Sequence, residues 1–125
     1  MAREVEGNIA SREAGEDLSS SQYYIVKLSS GTVVKSSAAT DKHLGVVRNK
    51  PTSGATASIF LRSAAGTGKV KAGGTISAGQ KITSDANGKA VVSTSNGDEI
   101  IGMAVEDAVL NDVFEFMPST SQLVS

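Results

Sequence analysis

From residue 22 onward, short apolar runs rich in β-branched residues alternate with clusters of Gly, Ser, Asn and Asp. This is the punctuation of an all-β protein. The pattern predicts strands over 23–28 ("YYIVKL"), 32–35, 43–48 ("HLGVVR"), 56–62 ("TASIFLR"), 68–71, 80–84, 89–93, 99–105 ("EIIGMAV") and 112–117 ("DVFEFM"). Within 99–105, Ile101, Met103 and Val105 point one way and Ile100, Gly102 and Ala104 the other. A Gly inside a strand marks a bulge or a close backbone approach, and Gly45 in "HLGVV" holds the matching place. "DANG" (85–88) reads as the strongest turn, because Asn-Gly tolerates the positive φ of a tight hairpin. "SSG" (29–31) plays the same part earlier, so Gly31 and Gly88 join Gly45 and Gly102 as structural glycines. No long segment has a helical period; a short helical turn fits only near 106–110.

The pattern also repeats. "SSGTVVKSSAATDKHLGVVRN" (29–49) aligns without a gap on "ANGKAVVSTSNGDEIIGMAVE" (86–106) at an offset of 57. Gly31 meets Gly88, Asp41 meets Asp98 and Gly45 meets Gly102. At an offset of 58, "AGEDLSSSQ" faces "AGGTISAGQ". Each half is a hairpin, a loop and a return strand that cannot cover its own apolar face. Two halves packed together close a small barrel or sandwich and protect strand edges. The expected fold is therefore all-β: a small β-barrel or β-tulip-like domain over 21–118, with pseudo-repeats at about 14–61 and 72–118. An extended N-terminal arm (1–20) precedes it and a short tail (119–125) follows.

Charge sets the arm apart. Residues 1–20 carry two basic and five acidic side chains, a net of −3, although the whole chain is only −1. Their bulky aliphatic residues are Val5, Ile9 and Leu18, too few to fold alone. The arm is expected to order on a partner. Elsewhere Lys and Arg are scattered singly, which disfavours nucleic acid as a partner. Aromatics are 4% of the 125 residues, so a thin core gains stability from subunit contacts. Cysteine is absent, which removes disulfides and thiolate metal sites. No apolar run reaches membrane-span length, and "MAREVEGNIA" lacks a secretory apolar region, so a soluble chain made in a cytoplasm is expected.

Candidate chemistry is thin. "SAAGTGKV" (63–70) has Ser63 where a phosphate-binding loop needs Gly, and Val70 where it needs a hydroxyl. His43 is the single histidine, with Asp41 two residues away, but nothing beyond ordinary serines supplies a nucleophile. The acids of "GDEIIGMAVED" lack the spacing of a Ca²⁺ loop and sit on a strand pattern. "VKAGGTISAGQKITSDANGKAVV" (70–92) looks like half of a biotinyl or lipoyl carrier, with Lys89 close to the tip. The carrier signatures around the modified lysine are missing.

Read in order, the segments "YYIVKLSSGTVV", "LGVVRNKPTSGATASIFLRSAAGTGKVKAGGTISAGQKITSDANGKAVV" and "GDEIIGMAVEDAVLNDVFEFM" resemble the tailed-phage capsid decoration, or head cement, proteins. The resemblance covers roughly residues 20–118. It implies a structural virion protein without catalytic residues, cofactors or metals. Such a protein binds the outer surface of an icosahedral head, commonly as a homotrimer, and clamps neighbouring major capsid subunits against internal pressure. Nucleic acid and membrane are not among the implied partners. The arm is the expected capsid-binding element, through Arg3, Glu4, Val5, Glu6, Ile9, Arg12 and Glu13. A biotinyl or lipoyl carrier and a β module of a phage tail or fibre remain the alternatives.

Overall fold

A computed structural model describes residues 9–119. The described chain forms ten strands and no helix: β1 (Ile9–Glu13), β2 (Ile25–Ser29), β3 (Thr32–Lys35), β4 (His43–Val47), β5 (Thr56–Leu61), β6 (Gly68–Lys71), β7 (Lys81–Ser84), β8 (Ala90–Val92), β9 (Gly102–Ala104) and β10 (Val113–Pro118). They make two five-stranded antiparallel sheets, ordered β1-β5-β4-β2-β3 and β6-β10-β9-β7-β8. Adding five to each label of the first order gives the second. The pseudo-repeat is thus a duplication of topology. It extends to small details: Ala14 bridges Val33 in parallel, and Ala72 bridges Ala90 in the same way.

The barrel expected from the repeat does not close. Among the described residues a single parallel bridge stands in place of a ladder between the edge strands β1 and β3, and between β6 and β8, and the arrangement is sandwich-like. Gly45 and Gly102 allow close approach inside each half. A Cβ on Gly45 would collide with the Phe60 carbonyl, and one on Gly102 with the Met117 carbonyl, the same partner one repeat later.

All nine strands read from the sequence are present, and two of them start two or three residues later than expected. β2 starts at Ile25 because Tyr23 turns back with a φ of 68° and its carbonyl accepts from the Lys71 N–H of the other half. β9 starts at Gly102 because Glu99 leaves its own sheet and donates its N–H to the Ala39 carbonyl. The β2–β3 hairpin is tight, with Ser30 and Gly31 both at positive φ. "DANG" turns the chain differently. Five residues separate Ser84 from Ala90, only Gly88 is left-handed, and the Asp85 carboxylate accepts from the N–H groups of Asn87 and Lys89. No helical turn forms at 106–110; Ala108 bridges Ile76 instead.

The segment read as an arm is, from residue 9 inward, part of the first sheet. β1 pairs with β5 over five residues, from Ile9 opposite Phe60 to Glu13 opposite Thr56. Ala14 and Leu18 are fully buried beside Val26, Val33, Val47, Ala57 and Ile59. The sequence pattern hid this because β1 is an edge strand that buries chiefly Ala10. Residues 1–8 lie outside the described residues.

A second, larger cluster fills the other half and the space between halves. It takes Ile25, Val46 and Phe60 from the first half and ten residues, including Ile82, Ile101, Phe114 and Phe116, from the second. Phe60 meets Phe116 edge-on, with ring centroids 6.0 Å apart.

Candidate functional site

His43 sits in a polar seam between the halves. Its Nδ1 lies 2.8 Å from Ser36 Oγ and its Nε2 3.4 Å from Thr83 Oγ1. Burial, and then the positive charge of Arg62, push its pKa down to about 4. The imidazole is therefore neutral at physiological pH and packed in place. Thr83 Oγ1 is also within 2.8 Å of the Glu99 carbonyl and 3.1 Å of the Ala39 carbonyl. Arg62 completes the seam, reaching the Ile100 carbonyl at 2.5 Å and Glu99 at 3.4 Å. Lys42 holds the second Glu99 oxygen at 3.1 Å and, opposing burial, keeps that carboxyl below its usual range. The seam joins two half-folds, and neither of the two largest described clefts contains His43.

The acids of the repeated turns also have structural work. The Asp98 carboxylate accepts from Ser93 Oγ and from the N–H groups of Thr94 and Ser95. Asp41 does the same for Ser37 and Ala38 and pairs with Lys27 at 2.9 Å. Burial alone would raise Asp41, but the Ser37 N–H and the Lys27 ammonium outweigh it and hold the carboxyl low. Among the described residues no group of three His, Cys, Asp or Glu is placed to hold a metal ion. Lys89, the lysine of the carrier alternative, is tied down: its ammonium bonds Asn111 at 2.9 Å and lies 5.9 Å above the Tyr24 ring.

Of the arm residues singled out from the sequence, Arg3, Glu4, Val5 and Glu6 lie outside the described residues. Ile9, Arg12 and Glu13 do not form a separate patch, since their backbone is paired to β5. The Arg12 guanidinium bonds the neighbouring Ser11 carbonyl, and Glu13 points to solvent.

Two surface features stand out instead. Six of the seven large apolar side chains exposed among the described residues fall in one stretch, 103–117. Met103 and Met117 face each other across β9 and β10, 37% and 49% exposed; Val109 and Leu110, at 56% and 58%, crown the connecting loop. The second feature is a cleft of about 370 Å³ at the junction of the halves. Ile9, Tyr23 and Phe60 give it an apolar floor, and Arg48 and Lys69 stand at its rim. Sequence reading missed both. A position-by-position comparison of the two repeats would have signalled part of the first, because Arg48, Thr52, Ser53 and Thr56 of the first copy become Val105, Val109, Leu110 and Val113 in the second.

The comparisons with known proteins agree with this picture of a structural protein. A family model described as phage cement protein matches residues 15–117. Among solved structures, the N-terminal base of the head fibre protein gp8.5 of bacteriophage phi29 superposes with a TM-score of 0.69 at 18% identity. That match covers 94% of this chain and 98% of the phi29 chain, and at this identity it speaks for the fold. No curated protein matches the sequence. With the family match running through both copies of the repeat, the chain belongs to the phage cement protein family and is a structural, capsid-associated component of the virion.

Proposed function

We propose that this protein binds the outer surface of an icosahedral phage head and holds neighbouring major capsid subunits together against internal pressure, acting as a homotrimer. The observation that carries the reading is the cement-protein match across both half-folds. The surface fits it. The described residues form an all-strand block that gathers most of its exposed large apolar side chains on one stretch. Many copies on one shell make weak individual contacts additive. The N-terminal residues Arg3, Glu4, Val5 and Glu6, with Ile9, Arg12 and Glu13 behind them, supply a further contact to capsid or neighbouring copies. A second reading has one observation behind it. The phi29 neighbour is the base of a head fibre, and on this reading the same block seats a fibre on a head.

The test is binding of purified protein to expanded, undecorated heads, followed by sedimentation. Saturable binding, together with heads that withstand more heat or osmotic shock, is the expected result. Absence of binding to both expanded and unexpanded heads of its own phage refutes the proposal. Binding that leaves head stability unchanged favours the fibre-seat reading.

A further inference from the structure

The duplicated fold carries its own control experiment. Residues 52–55 and 109–112 form the same turn: Ala55 N–H donates to Thr52 O, and Asp112 N–H to Val109 O, at 3.0 Å in both. The third residue is left-handed in each, Gly54 at 85° and Asn111 at 70°. The first copy fills the exposed positions with Thr52 and Ser53; the second fills them with Val109 and Leu110. The same backbone with a polar tip exists in this very chain, so the fold does not demand an apolar one. An exposed apolar tip that the fold does not require marks a contact surface.

Its surroundings state the chemistry of what covers it. Asp107 and Asp112 flank the two apolar side chains, and no basic residue lies within 103–117. The corresponding stretch 46–60 of the first copy holds Arg48 and Lys50 and no acid. The tip is also rigid before it binds. The Asp112 carboxylate accepts from the Val109 N–H at 3.0 Å, and Asp107 from the Ala78 N–H at 2.8 Å, which lowers the ordering cost of association.

The cleft between the halves has the complementary character. Its floor is apolar, and its rim cations, Arg48 and Lys69, form no ion pair among the described residues. We infer that the Glu106–Asp112 loop of one copy seats Val109 and Leu110 in the Ile9–Tyr23–Phe60 cleft of a second copy, with Asp107 and Asp112 facing Arg48 and Lys69. Knob and cleft are different surfaces, so the contact is head-to-tail, the kind that closes into a ring where the rotation between copies permits. The inference deepens the self-association part of the function proposed above and does not depend on head binding.

The natural chain is free of cysteine, which makes the test clean. Leu110→Cys and Lys69→Cys proteins, both substituted at exposed sites, are mixed under mild oxidant, in solution and on heads. The mixed disulfide should form at least tenfold faster than either homodisulfide. Adding Val109→Asp to the Leu110→Cys protein should remove that advantage, while circular dichroism stays unchanged. Leu110 homodisulfides forming as fast as the mixed species overturn the inference, as does no mixed disulfide in either setting. A mixed disulfide that appears only after residues 1–8 are deleted also overturns it, and assigns the cleft to that segment. Head binding without the mixed disulfide defeats this contact alone; the disulfide without head binding defeats the head reading alone.

Discussion

Lowering the pH from 7 to 4 should destabilise this protein through one imidazole. His43 is held at a pKa of about 4, against an ordinary value of 6.5 when the chain is unfolded. Between those values the unfolded state takes up a proton that the folded state refuses. The stabilisation from a neutral, packed His43 is fully present above pH 6.5 and is lost as pH falls toward 4. A displacement of about 2.5 units at 1.36 kcal/mol per unit amounts to roughly 3 kcal/mol. For a chain of this length that corresponds to a fall in Tm of roughly 10 °C. Two measurements check it. His43 is the single histidine, so its ring-proton resonance is unambiguous in an NMR titration and should move with a midpoint near 4. Urea unfolding of wild type and His43→Gln at several pH values should then converge as pH falls, because only the wild type loses the histidine contribution. The comparison removes the carboxylates Asp41 and Glu99, whose lowered pKa values add acid sensitivity to both proteins. A midpoint near 6.5, or two stability curves that run parallel from pH 7 to 4, would show the reasoning to be wrong.

Other expectations follow from packing. Gly45→Ala and Gly102→Ala should each cost about 1–3 kcal/mol or more in denaturant unfolding, since the added methyl meets a strand carbonyl; an unchanged midpoint would contradict the close approach. Deleting residues 2–18 removes β1 and Leu18 and should unfold the first half, read as loss of the circular dichroism strand signal. Leu18→Ala alone should cost about 2–5 kcal/mol. Asp98→Ala strips three donors of their acceptor and should cost about 1–3 kcal/mol, read as a shifted urea midpoint without a changed slope.

The strands were legible because their β-branched runs and turn residues agree, and the repeat was legible because its glycines and aspartates recur at a fixed offset. β1 was not, because an edge strand that buries one small side chain and draws its stability from backbone pairing leaves no apolar period. The shortened starts of β2 and β9 were hidden for a related reason. Tyr23 gives its carbonyl and Glu99 its N–H to the opposite half, and a local pattern carries no information about a partner 48 or 60 residues away. Arg62 reads in sequence as the polar end of a strand, yet it is buried across the seam. Val109 and Leu110 read as the end of a helical turn over 106–110, and only the duplicated turn around Gly54 shows them to be surplus to the fold.

Every ladder among the described residues joins strands of the same half. During synthesis the first sheet can therefore complete itself once Leu61 has emerged, without waiting for the rest. What it cannot do alone is cover Ile25, Val46 and Phe60, a row that runs across β2, β4 and β5. Until the second half folds against it, that row is a sticky face on a nascent chain. The interval between the two halves is the window in which this protein is most open to misassembly, and the moment when a chaperone has most to offer it.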